Sequence, residues 1–167
     1  VNFGAGEPDF ETPQHIKQAG VKAIEAGYTR YTPVAGIPEL RQAVVDRIKA
    51  DHGLTYQLNE VTIGCGGKHI LYNLFQAILN PGDEVIIFAP YWVSYPVQVE
   101  LAHGKSIFIE TKWANDFVPD LNDIKAATTS KTKAIIINSP SNPAGNIYPK
   151  ECVKAIAHWA VEHDLWI

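Results

Sequence analysis

The sequence has 167 residues, of which 46% are apolar and 19% charged, and its 14 lysines and arginines against 18 aspartates and glutamates give a net charge of −4. This composition is typical of one folded domain or part of a larger one, and it excludes a disordered tail and a coiled coil. The acidic balance argues against nucleic-acid binding, which needs a basic surface. Because no apolar run is long enough to span a bilayer, we expect a soluble, cytoplasmic protein that does not insert into membranes.

The cysteines and histidines do not indicate a metal centre. Two cysteines, Cys65 and Cys152, are too few for a disulfide framework. None of the six histidines pairs with another at metal-ligand spacing, and their order supports no serine–histidine–aspartate set. We therefore predict neither a metal site nor a catalytic triad.

Two helices are predicted in the first third of the chain. The first extends over about 13–26, with a proline in its first turn. A loop over 27–33 follows, and the apolar spacing predicts a second helix over about 37–50.

From Gly53 onward, stretches with the period of a helix alternate with short apolar runs of strand length. The strand-like runs are 61–63, 84–88, 106–109, 133–138 and 165–167. The helical stretches are 70–79, one that ends near 103–104, 120–127 and 149–163. Continuous apolar runs are typical of strands buried on both faces of a parallel sheet. The alternation predicts a three-layer α/β fold, with a mainly parallel sheet and helices on both of its faces.

Both ends of the sequence are apolar. It begins with the run 1–4 and ends with the run 164–167, and it contains no methionine. Since natural termini are usually polar, we expect the sequence to be a piece of a longer polypeptide.

A glycine-rich loop over 64–68 lies between a predicted strand and a predicted helix. Glycines let a backbone approach a ligand closely, and the exposed N–H groups at a helix start hold anions, most often phosphate. The spacing fits neither the GxxxxGK[ST] of P-loops nor the GxGxxG of dinucleotide-binding proteins. A tight turn that needs positive φ explains the glycines equally well.

Two further loops follow predicted strands, at the edge of the sheet where open α/β folds bind ligands. The first carries Trp92, whose indole could stack on a flat cofactor, although an isolated tryptophan more often covers the core. The second, over 138–145, alternates prolines with small polar residues and presents Asn142 with little conformational freedom. An anion loop, an aromatic ring and an amide together suit an aromatic phosphorylated cofactor.

Five motifs, in this order and spacing, resemble the class I pyridoxal-phosphate aminotransferases over essentially the whole chain. They are GAGEPDFETP at 4–13, YTPVAG at 31–36, GGK at 66–68, PYWVSYP at 90–96 and SPSNPAG at 139–145. The most similar branch is that of the bacterial aspartate aminotransferases, some of which accept prephenate. The resemblance implies a small-domain segment over 1–12 and a large cofactor-binding domain over 13–167, incomplete at its C-terminal end.

The resemblance implies a role for each loop in binding pyridoxal 5′-phosphate. Gly66, Gly67 and Lys68 match the loop that meets the cofactor phosphate at a helix start. Trp92 matches the indole that stacks on the pyridine ring. Asn142 matches the amide that hydrogen-bonds the phenolic oxygen of the cofactor.

Substrate and partner contacts are implied in the same way. Gly6 matches a glycine whose backbone lies against the substrate, which Trp92 and Asn142 also border. In the aspartate-preferring branch a lysine in the position of Lys68 helps to bind the distal carboxylate of the substrate, so we expect dicarboxylic substrates. Tyr31 matches a tyrosine that reaches the cofactor phosphate of the neighbouring subunit, which implies a homodimer with shared sites.

The chain also departs from the family pattern. Ala144 stands where the family usually has threonine, which removes a hydroxyl group but leaves Asn142 in place. The resemblance implies cis peptide bonds before Pro90 and Pro143. No catalytic residue is assigned in this chain, and we expect the Schiff-base lysine, the aspartate that protonates the pyridine nitrogen and the arginine that binds the α-carboxylate beyond Ile167.

The implied activity is transamination between aspartate or glutamate and 2-oxo acids, by a ping-pong mechanism in which the cofactor carries the amino group. Two alternatives stay open. The same scaffold serves C–S lyases and decarboxylases, whose cofactor loops look alike. A non-catalytic module or truncated fragment is the other, because the family's catalytic lysine is not in the sequence.

Overall fold

The computed structural model describes residues 6–167. The chain divides into two compact units, Val1–Ile63 and Gly64–Ile167. Residues 1–5, which include the first two residues of the GAGEPDFETP motif, lie outside the described residues. The predicted domain boundary after residue 12 stays a prediction.

The first unit contains both helices predicted for it. Helix α1 spans Gln14–Glu25 and helix α2 spans Pro38–His52. The proline at the start of α2 has no N–H to leave unpaired, which suits a first helical turn. The helix ends at Gly53, whose φ of 70° is the left-handed conformation that glycine adopts without strain, and its N–H donates to the carbonyl of Lys49 at 3.0 Å.

The strand predicted over 61–63 is wrong. Its backbone groups bond to residues that belong to no strand. The Ile63 N–H donates to the carbonyl of Ala35 at 3.0 Å, and Arg41 Nε donates to the carbonyl of Val61 at 2.8 Å. A β-rich run becomes a strand only beside another strand, and the described part of the first unit contains none.

The second unit alternates helices and strands along the chain. Its elements are α3 (Gly67–Ile78), β1 (Glu84–Ala89), α4 (Ser94–Leu101), β2 (Lys105–Glu110), α5 (Leu121–Ala127), β3 (Thr132–Ile136) and α6 (Lys150–Glu162). Each corresponds to a predicted element. Helix α3 begins three residues before its predicted start, because the apolar spacing becomes visible only at Ile70. Within residues 6–167, no helix is both long enough and apolar enough to cross a membrane.

The strands form a parallel sheet in the order β2-β1-β3. The run at 165–167 extends this sheet on the far side of β3, where Trp166 pairs with Ala134 in parallel. The Ile135 N–H donates to the carbonyl of Trp166 at 2.9 Å. The predicted parallel sheet is therefore confirmed, with β1 in its interior.

Alternate residues of β1 face opposite layers of helices. Val85 and Ile87 belong to a buried cluster with residues of α3 and α4. Ile86 and Phe88 belong to a second cluster with residues of α5 and α6. None of these four side chains is more than 4% exposed. The predicted three-layer arrangement is confirmed, and burial of both faces explains why β1 is a continuous apolar run.

Two loops leave the sheet at the same edge, because β1 and β3 are parallel neighbours. One follows Ala89 and the other follows Ile136. The peptide bonds before Pro90 and Pro143 are cis, as predicted, and the bond before Pro140 is a third cis bond beyond the two that the resemblance implies. The fold thus brings the loop of the tryptophan and the loop of the asparagine to one edge.

Three ionisable groups of the second unit are buried enough to favour their neutral forms. Burial raises the pKa of the Cys152 thiol above its ordinary value of 9.0, and the thiol donates to the carbonyl of Pro119 at 3.6 Å. Burial also raises the pKa of Tyr95. The pKa of Tyr148 is raised mainly by burial, with smaller contributions from Cys152 and Tyr95.

The raised pKa of the Cys152 thiol predicts a loss of stability in alkali. The unfolded chain releases the Cys152 proton near pH 9.0, whereas the folded protein keeps it to higher pH. Above that pH the unfolded state binds fewer protons, so the free energy of unfolding falls. Cys152→Ala is expected to be less stable than the parent at pH 7, because packing is lost. That difference shrinks at about pH 9.5, because ionisation of Cys152 in the unfolded chain lowers the stability of the parent but not that of the variant.

Urea unfolding at both pH values measures this difference. Cys65→Ala, which removes an exposed thiol, is the matched control. A stability difference for Cys152→Ala that stays constant or widens in alkali contradicts the prediction.

Candidate active site

Two glycines of the 64–68 loop, Gly66 and Gly64, are required by the local structure. Gly66, which precedes the first residue of α3, has φ 89° and ψ 165°, a combination that residues with a side chain rarely adopt. Gly64 is needed for another reason, since a Cβ built there would lie 2.5 Å from Cδ1 of Ile70. The loop is therefore a tight turn, and the same turn sets the start of the helix.

The first turn of α3 presents free hydrogen-bond donors. The structure gives no hydrogen bond from the N–H groups of Gly67, Lys68 and His69 to any described residue. The first N–H groups of a helix have no acceptor within it, and all three residues are exposed. Together with the positive end of the helix dipole, these donors can bind an anion such as a phosphate group.

The side chains of Lys68 and Trp92 lie in contact. Nζ of Lys68 is 5.1 Å from the centroid of the indole, within the range of a cation–π interaction. On the α4 side, Tyr95 packs edge-on against the same indole, with centroids 5.4 Å apart and an interplanar angle of 86°. The indole is half-buried. It is therefore held in one orientation while part of its surface stays open to a ligand.

A buried glutamine joins the anion loop to the helix that follows the tryptophan. Gln98 of α4 is 5% exposed, and its Nε2 donates to the carbonyl of Lys68 at 2.7 Å. Sequence reasoning missed this link, because the two residues are 30 positions apart. The available signal was a single polar residue on the buried side of a helix.

Asn142 lies in a loop that is closed by its own hydrogen bonds. The Ser141 N–H donates to the carbonyl of Asn146 at 2.9 Å, and the Gly145 N–H donates to the carbonyl of Ser141 at 2.8 Å. The N–H of Asn142 itself donates to Oδ1 of Asn138 at 2.7 Å. The Asn142 side chain is exposed, and the structure gives its amide no hydrogen bond to a described residue. The amide is available to a ligand.

The predicted site residues divide between the two units. Lys68 and Trp92 are in contact, and Asn142 follows the strand next to the one that precedes Trp92. Gly6 and Tyr31 lie in the first unit and both are exposed. Their predicted roles, toward the substrate and toward the neighbouring subunit, stay predictions.

Residues 1–167 match the family model of aminotransferase class I and II. The chain belongs to this family. It is 50% identical over 167 residues to the aspartate/prephenate aminotransferase of Thermus thermophilus, a comparison that covers 100% of this chain and 43% of the relative. It is 47% identical to the aspartate aminotransferase of Bacillus subtilis, with 100% of this chain and 42% of that enzyme covered. The chain thus spans less than half the length of these relatives.

Solved structures show the same fold. The aspartate aminotransferase of Thermus thermophilus with maleate superposes with a TM-score of 0.93 and 51% identity, covering 96% of this chain and 42% of that one. The aspartate aminotransferase of Rhizobium meliloti gives a TM-score of 0.93 and 41% identity, covering 98% and 41%. The resemblance found in the five motifs is confirmed, and so is the α/β fold class of the large aminotransferase domain.

The anion-binding role assigned to the 64–68 loop predicts a specific effect of Gly66→Ala. An alanine cannot hold this backbone conformation without strain, so the N–H groups of the first helical turn lose their alignment. We expect inorganic phosphate to bind the cofactor-free protein roughly tenfold more weakly, measured by titration calorimetry.

Gly53→Ala is the matched control, since Gly53 also has a positive φ, of 70°, but caps the end of α2. It is expected to lose stability while leaving phosphate affinity unchanged. Equal phosphate affinity in Gly66→Ala and the parent would contradict the assignment of the anion site.

Proposed function

We propose that the protein is a pyridoxal-phosphate-dependent aminotransferase that moves an amino group between aspartate or glutamate and 2-oxo acids. The observation that carries this proposal is the contact of Lys68 with Trp92 beside the free N–H groups of the α3 start, in a chain of the aminotransferase class I and II family. The names of the relatives from Thermus thermophilus and Bacillus subtilis support aspartate as a substrate.

The chemistry of the donor set fits pyridoxal 5′-phosphate. Gly66, Gly67 and Lys68 offer backbone donors and a positive charge to the phosphate. The open surface of the Trp92 indole suits the flat pyridine ring. The Asn142 amide suits an oxygen that carries negative charge, because hydrogen bonds to charged groups are the stronger ones. When bound, the cofactor supplies the electron sink that allows an amino group to leave one carbon and join another.

The residues of the protein position the cofactor and select the substrate. Tyr95 fixes the tilt of the indole, so that the ring of Trp92 defines the plane in which a flat ligand lies. The hydrogen bonds of the 138–146 loop fix the backbone from which the Asn142 amide extends. Lys68 carries a point charge on a flexible stem, which can reach a carboxylate at the far end of a substrate.

The proposal extends to a homodimer with shared sites. Tyr31 is fully exposed, so its phenol is available to the cofactor phosphate of a neighbouring subunit, while Gly6 lies against the substrate. The proposal assigns the covalent attachment of the cofactor to a lysine beyond Ile167, and it keeps the cytoplasmic location expected from the sequence.

Single-turnover mixing tests the proposed reaction. The protein, produced as its gene encodes it and loaded with pyridoxal phosphate, is mixed with excess L-aspartate. We expect the visible band of the cofactor to be replaced by the near-ultraviolet band of its aminated form, with one oxaloacetate released per site. A cofactor spectrum that does not change refutes transamination. Release of ammonia and pyruvate from cysteine conjugates, or of carbon dioxide from amino acids, identifies a lyase or a decarboxylase instead.

The charge of Lys68 predicts selectivity for dicarboxylic substrates. With saturating cofactor, Lys68→Gln is expected to raise the KM for aspartate about tenfold, the size of one lost hydrogen bond between charged groups. The KM for alanine, which has no distal carboxylate, is expected to change by less than about twofold. Steady-state kinetics with both substrates measures the effect.

Lys125→Gln is the matched control, since the ammonium of Lys125 also lies over an indole, 5.4 Å from the centroid of Trp159 on α6. It should leave both KM values unchanged. An equal rise for aspartate and alanine in Lys68→Gln means that Lys68 does not select the distal carboxylate.

A further inference from the structure

The side chain of Asn138 is hydrogen-bonded to the backbone of Asn142. Asn138 follows the end of β3 by two residues, and its side chain is half-buried. Its Oδ1 accepts the backbone N–H of Asn142 at 2.7 Å, a short distance for a hydrogen bond of this type. The bond ties the backbone of an exposed residue to the end of a strand in the sheet.

The hydrogen bonds of the loop divide into two groups. The bonds between Ser141, Gly145 and Asn146 join parts of the loop to one another. Two side-chain bonds tie the loop to its own ends: Asn138 holds the N–H of Asn142, and the Ser139 hydroxyl accepts the N–H of Tyr148 at 2.9 Å. Among the described residues, only Asn138 forms a hydrogen bond with Asn142.

We propose that Asn138 is a positioning residue, whose amide oxygen fixes the backbone of Asn142 so that the Asn142 amide is aimed at the negatively charged oxygen of the cofactor. This inference rests on the proposed function and deepens it. A misplacement of about 1 Å is enough to lose most of a hydrogen bond, because the interaction weakens steeply with distance and angle. For the position of Asn142, the acceptor oxygen of Asn138 therefore matters more than the volume of the Asn138 side chain.

The first experiment measures the hydrogen bond itself in the cofactor-free protein. In Asn138→Leu, which has the same branched shape with two methyl groups in place of the amide and therefore no acceptor, amide hydrogen exchange at Asn142 is expected to become at least about tenfold faster. In Asn138→Asp, which keeps an acceptor oxygen, exchange stays close to that of the parent. The comparison of these two variants separates the acceptor from the packing of the side chain.

Ser139→Ala is the matched control within the same loop. It removes the other side-chain bond, so exchange is expected to accelerate at Tyr148 but not at Asn142. If Asn142 exchanges equally fast in Ser139→Ala and Asn138→Leu, the loop loosens as a whole and the proposal fails.

The second experiment measures the consequence for the cofactor, in the protein as its gene encodes it. A hydrogen bond from Asn142 favours the ionised oxygen, so its loss raises the pKa obtained from the pH titration of the visible absorption band. Asn138→Leu is expected to raise this pKa by about one unit. Ser139→Ala is expected to shift it by less than about 0.3 unit. Asn138→Asp is excluded from this comparison, because an added carboxylate would itself raise the pKa of a nearby acid.

The outcomes separate this inference from the proposed function. A parent protein that shows no visible cofactor band refutes the proposed function and this role of Asn138 together. A normal band whose pKa is unchanged in Asn138→Leu refutes the role of Asn138 alone. Where Asn138→Leu does not fold, Asn138→Ala takes its place in both experiments, with the same expected directions.

Discussion

The arrangement of the site depends on the parallel pairing of β1 with β3. The register pairs Val85 with Ala134 and Ile87 with Ile136, so the two strands end at the same edge. With antiparallel pairing, the loop that carries Asn142 would leave from the opposite edge. A slip of one residue would exchange the buried faces of a strand whose Val85 and Ile86 are both 0% exposed. The core on both faces of the sheet thus maintains the geometry of a site that lies outside it.

Most of the fold could be predicted from the sequence, because each element carries its own period. Buried strands are apolar runs and the helices have apolar faces, and neither signal needs a distant partner. The run 61–63 shows the limit of this reasoning. Its composition suits a strand, but a strand exists only where a second strand supplies its hydrogen bonds, and the described part of its unit has none.

Less of the candidate site than of the fold could be predicted from the sequence. Motif resemblance singled out Lys68, Trp92 and Asn142 one by one, but the contact between the first two depends on how α3 packs beside α4. Gln98 and Asn138 were not singled out at all. Both act by hydrogen bonds to the backbone of another residue, and such bonds leave no periodicity in the sequence. Residues that position others are therefore the part of a site that needs the structure.

Each of the three loops is held by contacts within the protein itself. Gly66 and Gly64 set the helix start, the edge-on contact of Tyr95 sets the indole, and Asn138 sets the backbone of Asn142. Ordering a flexible side chain costs about 0.5–1.5 kcal/mol at the moment of binding. Groups that are ordered by folding do not incur that cost again, so more of the interaction energy becomes affinity.

Lys68 is the exception, and the size of its contacts explains why. A cation–π contact at an exposed site is worth about 0.5–1 kcal/mol, whereas a hydrogen bond between charged groups is worth about 1.5–3 kcal/mol. An ammonium group that rests 5.1 Å from the Trp92 centroid will therefore leave the indole when a carboxylate or phosphate oxygen comes within reach. The weak contact with the indole keeps the Lys68 ammonium near the site but lets it move to a ligand. This suits a residue whose charge must meet one substrate after another, while the backbone donors at the start of α3 stay fixed.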